Sequence, residues 1–103
     1  MKRVIVLYGT PDDPAAFDRH YAEVHTPLTL AMPKLAGFAI SRGPVAASPD
    51  ADAPYLVATL DYASEADLAA SLGSPEGQAA VGDLANFASG GVRLLTIDVQ
   101  TIL

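Results

Sequence analysis

Hydrophobic positions in this chain follow two rhythms, and the change from one to the other marks out its elements. Val4, Ile5, Val6, Leu7 and Tyr8 form a β-branched and aromatic run that ends in Gly9-Thr10-Pro11-Asp12-Asp13, a turn signal. This predicts a first strand. Phe17, Tyr21, Val24, Leu28 and Ala31 then recur at a spacing of about 3.6 residues, the apolar stripe of an amphipathic helix. Asp13 suits the N-cap of that helix and Pro14 its first position, and the pattern runs to about Met32. Pro27 has no N–H and predicts a kink or a restart. Thr26, pushed away from α geometry by the proline after it, is suited to cap a second helical piece.

The strand rhythm returns from Gly37 to about Val45 and again from Tyr55 to Tyr62, with a loop between them over Ala46–Pro54 that carries Ser48-Pro49-Asp50-Ala51-Asp52. Ser64 opens a helix, with Asp67 at its third position, and Gly73 stops it. Ser74-Pro75-Glu76 opens another, which ends before Gly90-Gly91. Val92 to Ile102 reads as a long last strand. The order is β-α-β-β-α-β with the second helical region split. It predicts an α+β, ferredoxin-like fold over one domain of residues 1–103: a four-stranded antiparallel sheet with both helical regions on one face. An irregular two-layer α+β sandwich of different strand order is the other arrangement.

The strands carry a second message. In a two-layer fold the sheet face away from the helices should alternate to polar. Here Val4, Val6 and Tyr8 oppose Ile5 and Leu7, and Val92 and Leu94 oppose Leu95, Ile97 and Val99, so both faces are apolar. An uncovered apolar patch of several hundred Å² is more than a soluble monomer usually shows. A homodimer packed sheet against sheet is the expectation, with cover by the chain ends or the 46–54 loop as the alternative.

Composition adds mostly exclusions. The 103 residues carry a formal net charge of -6, and Lys2, Arg3, Arg19, Lys34, Arg42 and Arg93 are scattered, so no nucleic-acid partner is expected. There is no cysteine, hence no disulfide and no thiolate ligand or nucleophile. The apolar run at the N-terminus is too short for a signal peptide, and no run approaches the roughly 20 residues of a membrane span. A cytoplasmic protein with no membrane partner is the expectation.

Phe17, Tyr21, His25, Pro27, Leu28, Pro33 and then Gly37-Phe38 resemble the Phe–Tyr–His–Pro–Leu–Pro–Gly signature of the EthD family, small proteins of the dimeric α+β barrel superfamily. Tyr55-Leu56-Val57-Ala58 resembles the family's third strand, and Ser74-Pro75-Glu76-Gly77-Gln78, Asp83 and Asn86-Phe87 its second helical region. The resemblance spans essentially the whole chain. It implies a ferredoxin-like monomer and a homodimer whose two sheets enclose a barrel. The family is named for an association with ether degradation beside a cytochrome P450 system. Related branches include cofactor-free dehydratases, decarboxylases and cyclases. Such a label fixes the fold far better than the reaction.

The candidate chemistry centres on His25, just before the proline. Tyr21 lies four residues earlier and is its neighbour on a helix. A phenol and an imidazole at the edge of a pocket can act as acid and base in a proton transfer. The structural alternative is that His25 ties the Thr26-Pro27 break to its surroundings. On a regular helix His20 lies about 140° from His25, so the two cannot clamp one ion, and His20 is expected at the surface. With no Cys and no third His, no metal site is expected within one chain. Tyr8, Tyr55, Phe17 and Leu28 are the expected ligand contacts. Arg42 and Asp61, polar residues in predicted strands, face either a ligand or an exposed edge. No Gly-rich phosphate loop or dinucleotide fingerprint is present, since Gly90-Gly91 precedes a strand, and no cofactor is expected.

These features point to a homodimer that binds a small apolar or aromatic organic molecule between the first helix and the sheet, with His25 and Tyr21 orienting it or moving a proton. Catalysis, if present, would be cofactor-free elimination, decarboxylation or isomerisation. A non-catalytic accessory or metabolite-binding module and a cofactor-independent monooxygenase are the competing readings.

Overall fold

The computed structural model describes residues 1–49 and 52–103. Asp50 and Ala51, in the loop expected between the second and third strands, lie outside the described residues. The elements are β1 (Lys2–Tyr8), α1 (Pro14–His20), a π-helical turn (Tyr21–His25), α2 (Thr26–Leu30), β2 (Gly37–Ile40), β3 (Leu56–Tyr62), α3 (Glu65–Gly73), α4 (Pro75–Phe87) and β4 (Val92–Asp98). The four strands form one antiparallel sheet in the order β2-β3-β1-β4, the ferredoxin-like arrangement expected from the pattern.

Alternation within each strand sorts the two faces. Val4, Val6 and Tyr8 of β1 and Ala58 and Tyr62 of β3 are buried beneath the helices, where they meet Phe17, Tyr21, Leu68 and Phe87. The opposite face carries Ile5, which pairs with Thr59 on one side and Leu95 on the other, and Leu7, which pairs with Val57 and Arg93. The molecule is a slab 18 Å thick with its helices on one side only. The outer face is therefore apolar at its centre, as the alternation predicts. Asp52, Ala53 and Pro54 border Leu7 at one end of it. Arg3 and Asp61 also lie on this face, joined by a two-point ion pair with Nε to Oδ1 at 2.7 Å and Nη2 to Oδ2 at 3.1 Å. Asp61 thus faces its cross-strand neighbour.

Two strands end earlier than the pattern predicts, and in each case the ladder runs out of partners. β2 stops at Ile40, not Val45: the Ser41 side-chain oxygen takes the N–H of Val57, and Gly43 with φ of 72° turns the chain away before Pro44. Arg42 is consequently an exposed loop residue. β4 stops at Asp98, not Ile102, where its pairing with β1 ends opposite Lys2; beyond it the Val99 N–H bonds to the Met1 carbonyl.

Pro27 does not break the first helix. Thr26 stays in α geometry, at φ -59° and ψ -48°, and makes no side-chain cap, contrary to expectation. The missing donor is absorbed one turn earlier: the Thr26 N–H reaches back five residues to the Tyr21 carbonyl. This wider turn leaves room for a proline ring that would collide with the carbonyl four residues before it in a regular helix. At the other helical layer, Ser74 accepts from the Gly77 N–H at the start of α4 and donates to the Ser71 carbonyl at the end of α3. A Cβ on Gly77 would run into that same Ser71 carbonyl, so glycine is what lets α3 and α4 meet this closely.

Candidate functional site

The π turn decides where the two histidines point. In an i→i+5 turn, residues five apart share a face, and His20 and His25 are five apart. His25 is buried, and its Nδ1 lies 3.0 Å from Asp83 Oδ2 on α4. His20 Nε2 lies 2.9 Å and 3.0 Å from the two oxygens of the same carboxylate. The Asn86 side-chain N–H₂ donates to Asp83 Oδ1 at 3.0 Å. The expected separation of the histidines thus fails, because it assumed a regular helix. His20 is half-buried and anchored, not simply a surface residue. Among the described residues, no group of three His, Cys, Asp or Glu is arranged to hold a metal ion.

Phe87 forms the floor under this cluster. Its ring centre lies 5.1 Å from the stacked ring of His20 and 4.8 Å from that of His25, and it also contacts Phe17, Tyr21 and Tyr8. Burial lowers the proton affinity of His25, and this outweighs the opposing bond to Asp83. Burial alone would raise Asp83, but the bonds from Asn86, His20 and His25 together bring it below its ordinary value. At neutral pH the pair is therefore a neutral imidazole beside a carboxylate.

A cavity of about 50 Å³ lies between the helices and the inner face of the sheet. Its wall includes His25, Tyr21, Tyr8, Thr29, Tyr62 and Phe38, and its rim includes Leu72, Val81 and Leu94, which are exposed. Nε2 of His25 makes no hydrogen bond to protein, yet no buried side-chain nitrogen or oxygen among the described residues is left without a partner. The Nε2 edge therefore opens on the cavity. Burial pushes Tyr21 up to about 12, against a smaller opposing effect of Tyr8. Tyr8 is pushed higher still, by burial first and then by Tyr21. Both phenols are protonated donors at neutral pH. Across the cavity Tyr62 shares a hydrogen bond of 2.8 Å with Ser71, both fully buried.

The remaining expected contacts lie elsewhere. Phe17 is buried in the aromatic cluster behind Tyr8 and does not reach the cavity wall. Tyr55 lies outside it: its ring meets Phe17 at 5.1 Å and its hydroxyl donates to Asp18 at 2.8 Å. Leu28 is half-buried, off the wall. Asp83 and Phe87 are the most important of the residues not foreseen as part of the site, which also include His20, Asn86, Thr29 and Phe38. Asp83 and Phe87 both sit on α4, more than fifty positions from His25, and no local spacing links them to it.

Residues 10–91 match the model of the EthD domain, a stretch that holds His20, His25, Asp83 and Phe87. The chain belongs to the EthD family. The chain is 44% identical over 105 residues to an uncharacterised 11.0 kDa protein in the thcB-thcC intergenic region of Rhodococcus erythropolis, with 100% of this chain and 99% of that protein covered. The structure is similar to an EthD family protein from Bacillus halodurans, with a TM-score of 0.86 and 31% identity over 97% of this chain and 99% of that one. A dimeric ferredoxin-like protein of unknown function from Thermobifida fusca superposes with a TM-score of 0.71 at 17% identity, covering 95% of this chain and 90% of that one, a likeness of fold alone.

Proposed function

We propose that this EthD domain is a homodimer that holds a small, uncharged organic molecule between its helices and its sheet, with His25 as the proton acceptor and Tyr21 as the hydrogen-bond donor. The observation that carries this reading is a buried, neutral imidazole whose unpartnered Nε2 edge borders a cavity with otherwise almost wholly apolar walls. An imidazole base acts near neutral pH. No lysine, arginine or carboxylate is part of the wall, so a charged guest would be buried without a counter-charge. The chemistry that fits is cofactor-free proton removal beside a carbonyl or from a phenol, with Tyr21 and Tyr8 donating to the oxygen that gains charge. The cavity has room for only one or two waters, so a larger guest enters by displacing the exposed rim of Leu72, Val81 and Leu94.

Support for the dimer comes from the outer sheet face around Ile5, Leu7, Val57 and Leu95, which has no helix over it. A second copy packed face to face there would give the barrel expected from the sequence.

The small size of the cavity and the clamp between the π turn and α4 favour one other reading, in which His25 is structural and the domain is a non-catalytic accessory module. The two readings separate with phenol, cyclohexanone and acetophenone as probes, followed by NMR shifts of cavity residues and by deuterium uptake at the ketone α-carbons in D₂O. The proposal expects cavity shifts and faster exchange with the wild type, both lost in His25→Ala while fold and oligomeric state persist. Binding and exchange unchanged in a folded His25→Ala would overturn it.

A further inference from the structure

Two imidazoles on one buried carboxylate is an arrangement with consequences for how His25 holds its proton. Asp83 is 5% exposed and is approached by three nitrogens at hydrogen-bond distance: Nε2 of His20, Nδ1 of His25 and Nδ2 of Asn86. The amide nitrogen of Asn86 can only donate. A bare imidazole nitrogen facing a carboxylate at 3.0 Å or less would set lone pair against lone pair, so both ring nitrogens carry hydrogen. For His25 this leaves Nε2 as the bare, accepting nitrogen, on the cavity side. His20 reaches a different space. It lines a shallow groove on the outside of the helical layer with Asp12, Asp13, Asn86 and Ser89. One carboxylate therefore sits between the inner cavity and an outer groove, with one imidazole facing each.

We infer that Asp83 is a positioning residue shared by both imidazoles: it holds His25 with the proton on Nδ1 and the Nε2 lone pair on the cavity, and it lets protonation of His20 in the outer groove weaken His25 as a base. The inference rests on the reading of His25 as the proton acceptor. Its physical basis is charge sharing. A carboxylate that faces a neutral His20 lends its full negative charge to the imidazolium formed at His25. Once His20 is protonated, that charge is largely answered, and the new positive charge lies within one carboxylate's width of the ring. The ionisable groups around the pair agree with this direction. His25 meets Asp83 from α4 and Tyr21 from the π turn, and it shares the cavity wall with Tyr8 from β1 and Tyr62 from β3; His20 of α1 reaches the same carboxylate, and the phenols of Tyr8 and Tyr21 are neutral in the working range. Asp12 and Asp13 share the groove with His20.

The experiment needs no guest. With only two histidines in the chain, ring ¹⁵N and ¹H shifts of the uniformly labelled protein assign both tautomers and both titrations. The wild type is expected to show His25 as the Nδ1–H tautomer when neutral. In Asp83→Asn the carboxamide can offer an N–H to Nδ1, and His25 is expected to move to the Nε2–H tautomer. In His20→Gln the tautomer should persist, and the His25 midpoint should rise by at least about 0.3 pH unit, the scale of a unit charge removed at roughly 7 Å in a watery dielectric. A wild-type His25 carrying its proton on Nε2, a tautomer unchanged in folded Asp83→Asn, or a midpoint in His20→Gln within about 0.1 unit of wild type would each overturn the inference. The wild-type and His20→Gln measurements stand even if Asp83→Asn does not fold. Guest binding is read separately: its failure with the tautomer intact removes the base reading and leaves the coupling in place.

Discussion

His20 and His25 meet on a single carboxylate, that of Asp83, although a regular helix would turn them about 140° apart. The turn that brings them together is the one that Pro27 forces to widen. A backbone irregularity, a buried His–Asp–His cluster and a candidate base are thus one feature of this molecule.

Acid should weaken the fold in two stages. His25 has a folded proton affinity below its ordinary value of 6.5, so its contribution is fully present above that pH and is lost as pH falls through the lower, folded value. Asp83 is likewise held below 3.8, and its contribution disappears as pH falls further, through its own folded value. Both groups act with the same sign. The Tm is expected to be flat above about pH 7, to begin falling near pH 6 and to fall again below pH 4, and His25→Gln should remove the first step. A Tm in the wild type that is constant from pH 8 to pH 5 would contradict this.

The outer sheet face gives the dimer a direct handle. Ile5 sits at its centre, between Thr59 and Leu95. Ile5→Lys places a charge there without touching the helical layer. Sedimentation velocity should give twice the chain mass for the wild type and a single chain mass for the variant, with circular dichroism unchanged. A wild type that stays at 10.6 kDa at every concentration would rule the dimer out.

Phe87 should be costly to truncate. It is 8% exposed and touches both histidine rings as well as Tyr8, Phe17 and Tyr21. Phe87→Ala is expected to lose about 3–4 kcal/mol in urea unfolding. A loss under about 1 kcal/mol would mean that the aromatic cluster does not support the site.

Two glycines of α4 should answer oppositely to alanine. Gly82 has open space around it and should gain about 0.5–1 kcal/mol from the better helix former. Gly77 would drive a Cβ into the Ser71 carbonyl and should lose about 1–3 kcal/mol despite the same propensity gain. Equal responses of the two variants, measured by chemical denaturation, would show that the approach of α3 to α4 is not what glycine serves at position 77.

The sequence by itself determined the order of elements, the two apolar faces of the sheet and the family, because strand alternation, a 3.6-residue stripe, caps and prolines are local signals. It also placed His25 and Tyr21 together and marked the proline break beside them. It set the ends of β2 and β4 too late, because a strand's length depends on its neighbour: Ser41 takes a ladder bond with its side chain, and the register of β4 with β1 ends at Lys2 opposite Asp98. Tertiary structure alone decided the site. Asp83 and Phe87 come to His25 only because α4 lies across the first helix, and His20 joins them only because the helix chose a π turn over a kink. That choice balances a missing N–H against the packing of an aromatic floor 60 positions away, a term no window of sequence contains.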